Sequence, residues 1–476
     1  MKKFLILTSI ITTLLAFSLF GCNQNDDQTK NPPPVTPPID TAQYIDGMKF
    51  DLLSDDTYYL VTVGSNLSSE IEIPDTCNGK SVTQIGLNAF YGCKTLTSIT
   101  IPNTINHIGN NAFKNCTNLK TVIFNDNSSL ITLPPVFNGC SSLEELDFGS
   151  NSSLEVIESQ AFVGCSHLKN LTLPNSLLKI GKKAFYGCSA IEKIEIPSSL
   201  KTIETWAFEN CLALSTITVK SGNSTFTSRD NVLFSDNMKT LVKYPSGKIN
   251  TSYTIPSSVT TISDSAFSNA RTLEEVTLPS SLKTIGNSAF ISCLKLKGIT
   301  IPSSVTTLSE SAFQNCTSIK FVKFEAGSKL AKIEKFAFSS CTSLEEVDFG
   351  NTTTLINIGQ DSFHYCEKLT SITIPDSVER IDGFAFEYCG LKTVIFGKNS
   401  KLTSLGTNVF TFCESLNNVV LPKSLTKIEV YVFDFCYSLT NLGYDGTVEE
   451  WNKIQKGAVW RDSAPFSYVQ CTNGRA

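Results

Sequence analysis

The chain has 476 residues, with 39 Lys and Arg against 44 Asp and Glu, a formal net charge of −5. That balance supplies no basic field for a phosphate backbone, so nucleic acid is excluded as an expected partner. Hydrophobic residues make up 41% and charged residues 17%, enough apolar material for a large core beneath a mostly uncharged polar surface. Aromatic usage is lopsided, with 31 Phe against 3 Trp, which points to one structural position filled many times and hence to an internal repeat.

In chain order, Lys2 and Lys3 precede an apolar run from Phe4 to Phe20, then Gly21 and Cys22. This pattern reads as a secretory signal over residues 1–22. Its ending, Leu19 to Cys22, resembles the lipobox of bacterial lipoproteins. The resemblance implies acylation of Cys22, a place in the bacterial cell envelope with the chain exposed at the surface, and contact with the membrane through the lipid anchor alone. Residues 23–42 are polar and proline-rich and read as an extended spacer. The alternation in Met48 to Gly64 reads as strands, and residues 43–70 as an N-terminal β cap.

From there a unit near 23 residues runs almost to the C-terminus, with Phe at 90, 113, 137, 162, 185, 208, 267, 290, 313, 338, 363, 386, 410 and 433. The unit starting at Ala184 is A-F-Y-G-C-S-A-I-E-K-I-E-I-P-S-S-L-K-T-I-E-T-W. Ile194 and Ile196 alternate as in a strand with one buried face, and Pro197 closes that strand because it cannot donate the next ladder hydrogen bond. Leu200, Ile203, Ala207 and Phe208 turn the chain back beneath it. One such coil cannot bury its own apolar side, and stacked copies share a continuous core. The expected fold is a repeat solenoid with one parallel β-sheet face and short return segments without strands. Its array spans residues 71–442, with a C-terminal cap over 443–476. Strand spacing of about 4.8 Å sets its length at roughly 70 Å. The 59-residue step from Phe208 to Phe267 contains two strand-like runs around Ser235 to Lys239 and reads as a β-hairpin insertion near residues 221–250.

Thirteen cysteines follow the repeat Phe by three positions, and Ala270 fills the remaining slot. Equivalent side chains on neighbouring coils point the same way, so pairing into disulfides is disfavoured and buried free thiols are expected. Phe90, Cys93, Phe113, Cys116, Phe185, Cys188, Phe290, Cys293, Phe313 and Cys316 represent the core positions. Cys77 and Cys471 lie outside the series.

The unit A-F-x-x-C-x-x-L-x-x-I-x-I-P, with its I-P-x-S turn, resembles the BspA-like class of leucine-rich repeats in bacterial surface proteins. The segment Tyr444 to Trp460 also looks like the closing segment of such arrays. The resemblance implies a right-handed, curved solenoid at the cell surface and adhesion to a host or microbial surface or matrix protein.

The three histidines, His107, His167 and His364, occupy different repeat positions and read as surface residues. With no hydrolase, phosphate-binding or zinc-protease motif present, neither an enzyme, a cofactor nor a metal site is expected. Alternation places one strip outward on the sheet: Thr100, Ile123, Asp147, Thr172, Glu195, Thr218, Thr254, Thr277, Thr300, Lys323, Asp348, Thr373, Ile395 and Val420. Phe321 faces out beside it. This strip is the candidate face for a protein partner, and its apolar members are the anchors. Glycan or matrix-polysaccharide binding, and a structural envelope role without ligand, are the competing expectations.

Overall fold

The computed structural model describes residues 43–63 and 67–476. The signal, Cys22 and the spacer lie outside the described residues.

Each repeat is one turn of a β-solenoid. In Lys193–Ile196, Ile194 and Ile196 are buried while Lys193 and Glu195 face solvent, and the strand pairs in parallel with Thr216–Val219 of the next coil. The turn that follows has a second purpose beyond reversing the chain. Leu200 N donates to the Pro197 carbonyl at 3.2 Å, and Ser199 Oγ donates to the Leu177 carbonyl of the preceding coil at 2.7 Å. Ser176, Ser377 and Ser424 do the same at 2.7, 2.8 and 2.8 Å. The serine of I-P-x-S therefore ties coil to coil, each bond contributing about 1 kcal/mol.

The return segments differ from the strand-free expectation. Two-residue strands such as Lys179–Ile180 and Thr202–Ile203 pair in parallel and build a second ladder on the other side of the core. Stacking at strand spacing brings return-segment N–H groups opposite carbonyls of the preceding coil, and buried backbone groups must be paired. Two residues are too few to show a period in sequence.

The repeat Phe rings form two stacks, interrupted between Phe208 and Phe267. Centroid distances run from 4.9 Å for Phe90 and Phe113 to 5.6 Å for Phe185 and Phe208. The second stack begins at 4.6 Å for Phe267 and Phe290 and widens to 5.8 Å for Phe386 and Phe410. Burying one such ring contributes on the order of 2 kcal/mol. On either side of the ring the backbone is left-handed, as at Lys183 (φ 57°) and Gly187 (φ 76°).

The serial thiols are free and do more than fill space. Cys116 Sγ donates to the Phe90 carbonyl of the preceding coil at 2.9 Å, and the same bond recurs at 3.2 Å for Cys188 to Phe162, 3.2 Å for Cys293 to Phe267 and 3.1 Å for Cys316 to Phe290. Cys93 departs from the buried expectation. It is half-exposed, because no preceding coil supplies a Phe carbonyl, and its thiol lies 3.3 Å from Thr95 Oγ1 instead. Cys77 and Cys471 are buried and free.

The step between Phe208 and Phe267 also requires correction. The expected hairpin is present as the antiparallel pair Val232–Ser235 and Thr240–Lys243, and Phe226–Arg229 adds a third antiparallel strand to it; what changes is its reading as an insertion. The third pairs in parallel with Thr261–Ile262, and Tyr244 stacks on Phe267 at 5.0 Å. Tyr244 N donates to the Ala266 carbonyl at 2.8 Å, as Phe267 N does to Ala289 at 2.7 Å. Tyr244 is thus the repeat aromatic of a degenerate coil, 23 residues before Phe267. The core divides here, one cluster ending near Leu233 and the other beginning at Val232.

Both ends are covered. An antiparallel meander of Gln43–Ile45, Met48–Leu52 and Tyr58–Val63 joins the array through Lys80–Ile85. At the other end the helix Val448–Lys453 begins with a capping box of Thr447 and Glu450 and buries Trp451. Gln455–Lys456 and Val469–Cys471 then extend the two ladders.

Candidate interaction surfaces

Strand pairing decides which outward residues meet. Thr100 lies beside Ile123 and Ile123 beside Asp147; Glu195 lies beside Thr218; Thr254 beside Thr277; Thr300 beside Lys323 and Lys323 beside Asp348; Thr373 beside Ile395. Thr172 occupies the same line in its coil. All of these side chains face solvent, with Thr100, Ile123 and Lys323 half-buried and the rest exposed.

Three apolar side chains stand out of this polar strip: Phe321, Ile395 and Val420, at 36%, 47% and 50% exposure. Two of them, Phe321 and Val420, lie over glycines. A Cβ on Gly298 would meet the Phe321 ring at 2.3 Å, so the ring lies across a bare backbone in the neighbouring strand. Val420 leans on Gly443 in the same way, at 3.0 Å. Lys323 Nζ sits 5.4 Å above the Phe321 ring and 3.7 Å from Glu346. Lys297 pairs with Glu274 in the same way, at 2.5 Å. Being exposed, these ion pairs contribute little to stability.

A family signature described as BspA type leucine rich repeat region (6 copies) matches residues 64–154, 134–250, 246–357 and 352–458. The chain belongs to the BspA-type leucine-rich repeat family. Among solved structures, a leucine-rich cell surface protein from Faecalibacterium prausnitzii is 26% identical with a TM-score of 0.50, covering 87% of this chain and 97% of its own. The pneumococcal vaccine antigen PcpA shares the fold at 21% identity and a TM-score of 0.53, over 91% of this chain and 99% of its own. A leucine-rich repeat protein from Eubacterium ventriosum does so at 21% and 0.51, over 89% and 94%. No curated protein matches the chain.

Within this BspA-type array, two features on the edge opposite the outer sheet face escaped the sequence reading. The position two after the repeat Phe is left-handed, and most coils fill it with Gly, Asn or Ser, as at Gly187, Asn210 and Ser292. The last four coils place Tyr365, Tyr388, Phe412 and Phe435 there, at φ between 56° and 59°. Their rings stack at 4.6, 4.4 and 4.4 Å. The signal was available as an abrupt change of residue type at one repeat position.

The second feature concerns histidine. His107 is exposed and His167 is exposed, as expected. His364 is not a surface residue: its side chain is 21% exposed, between Asp361 at 11% and Glu387 at 13%. His364 Nε2 lies 3.1 Å from Glu387 Oε2 and Nδ1 lies 3.9 Å from Asp361 Oδ1. Asp361 sits two before the repeat Phe and His364 one after it, while Glu387 holds the same position as His364 in the next coil. The histidines alone do not mark this grouping, because its other members are carboxylates, one of them, Glu387, a coil away. Burial pushes the Asp361 carboxyl above its usual range, against the hydrogen bond from Gln360.

Proposed function

We propose that this chain is a lipid-anchored bacterial cell-surface protein that binds a host or microbial surface or matrix protein through its outer sheet face. The single observation carrying this reading is the outward strip, borne by four successive parallel sheets, on which Phe321, Ile395 and Val420 stand exposed. Isolated exposed apolar residues are ordinary, whereas three within one polar strip, two of them seated on glycines, form anchors of the kind that dominate protein interfaces. Repeat solenoids supply such extended surfaces without a catalytic cleft, which supports a non-enzymatic scaffold. The surface placement draws on the Leu19–Cys22 resemblance to a lipobox and on the name of the Faecalibacterium neighbour.

The test pairs the purified protein with a variant carrying Phe321→Ser, Ile395→Asp and Val420→Asp. These positions face water, so the variant is expected to melt within a few degrees of the parent. Binding to immobilised purified matrix proteins should fall at least tenfold in the variant, and equal binding by both proteins would sink the proposal. Globomycin-sensitive processing and palmitate labelling lost in Cys22→Ala test the anchor separately.

A further inference from the structure

Buried charge is tolerated only when it is paired, hydrogen-bonded or bound to a metal. Three carboxylates are buried, those of Glu209, Asp361 and Asp434, and Glu387 is half-buried; Asp434 accepts from the backbone N–H groups of Phe435 and Ser463 at 3.1 and 3.0 Å. Glu209, at the junction of the two core clusters, faces Lys243 at 3.9 Å and accepts from Ser268 Oγ and, at 3.3 Å, from Asn269. Asp361 accepts from Gln360 Nε2 at 2.9 Å, but neither it nor Glu387 has a Lys or Arg partner among the described residues, and the imidazole of His364 lies between the two.

The repeat gives an internal control. Across the series, only the coil of Phe363 has an acid two before the repeat Phe, and only that coil has a histidine one after it. Coil stacking then sets Glu387 beside both. One ligand atom from each of Asp361, His364 and Glu387 lies within 4.8 Å of the others. The imidazole is fixed by packing, with Tyr365 at 4.3 Å and Tyr388 at 6.0 Å between ring centroids.

We infer that Asp361, His364 and Glu387 form a site for one divalent transition-metal ion of the zinc class, at the start of the aromatic ladder. Imidazole nitrogen with carboxylate oxygen is a donor set suited to zinc, and three protein ligands leave a position for water. Glu387 faces Nε2 and Asp361 faces Nδ1, so one imidazole nitrogen ligates the ion, and the carboxylate at the other nitrogen swings round the ring edge to reach a metal–ligand distance of about 2.0–2.2 Å. The ion neutralises both carboxylates and cross-links two adjacent coils. This inference is independent of the outer sheet face.

The experiment is a calorimetric titration of the chelator-stripped purified protein with zinc chloride, alongside metal analysis after dialysis. One zinc per chain is expected, with at least a tenfold loss of affinity in His364→Gln and, separately, in Glu387→Gln. Zinc should raise the melting temperature of the parent protein, and magnesium should not. Cobalt substitution should give a spectrum lacking a thiolate-to-cobalt charge-transfer band, which distinguishes this site from the cysteines. Absence of stoichiometric zinc binding by the parent overturns the inference, as does binding that survives both substitutions or a thiolate spectrum. If either variant fails to fold, the parent's zinc-specific thermal shift and cobalt spectrum still decide.

Discussion

The coils from Phe90 to Phe208 and those from Phe363 to Phe433 share one interior and differ at their edges. In both, rings stack at 4.9–5.8 Å and thiols donate to the carbonyl of the previous ring. Two residues from the ring, however, the first stretch has Gly92, Asn115 and Gly187 where the second has Tyr365, Tyr388 and Phe412, all left-handed. A bulky side chain there costs about 1–2 kcal/mol, and each ring stack returns about 0.5–1.5 kcal/mol. The lesson is that coil stacking dictates interior chemistry everywhere, while an edge position can be respecified over a few coils without changing the fold.

If the interior is common to both stretches, raising pH should break both together, and this is the largest effect expected. Burial lifts the Cys341 thiol from its ordinary 9.0 to about 12, and it raises Cys165, Cys188, Cys211, Cys366 and Cys413 as well. A folded pKa above the unfolded one means that the contribution is complete below pH 9 and is lost as pH climbs toward 12. For Cys341 alone the loss is on the order of 4 kcal/mol. Urea unfolding should therefore show a steep fall in stability across that interval with no step assignable to one stretch. A profile flat through pH 11 would mean that the thiols are not buried as described.

A smaller perturbation is Phe313→Ala, which opens a gap between the rings of Phe290 and Phe338. It should cost about 3–5 kcal/mol, measured by the urea midpoint, and the equivalent Phe185→Ala should match it within about 1 kcal/mol. The finest probe acts on the edge. Gly187→Ala places a Cβ at φ 76° and should destabilise by about 1 kcal/mol. Tyr388→Gly relieves the same strain but loses its stacks on Tyr365 and Phe412, so its net change should stay near zero. A large loss from Tyr388→Gly would show that the ladder is part of the core after all.

Much of the interior was legible because a 23-residue period writes the same physical demand many times. The Phe stack, the serial thiols and the outward strip through Thr300, Lys323 and Asp348 all follow from that period and from strand alternation. Tyr244 was not legible, because its coil lacks both the Ala before the ring and the Cys after it, and only its stack on Phe267 reveals its place. The second ladder was hidden by its two-residue length. Gly298 and Gly443 gained meaning only from the side chains lying over them.

By itself, then, the amino-acid order determined a solenoid, its ends and which face of each strand meets water, because burial periodicity is a local property repeated along the chain. Tertiary structure alone decided that Asp361, His364 and Glu387 converge, that the thiols donate to neighbouring carbonyls and that four aromatic rings form a ladder. Those relations run between coils, across about one strand spacing but some two dozen residues of chain, and no local pattern records them.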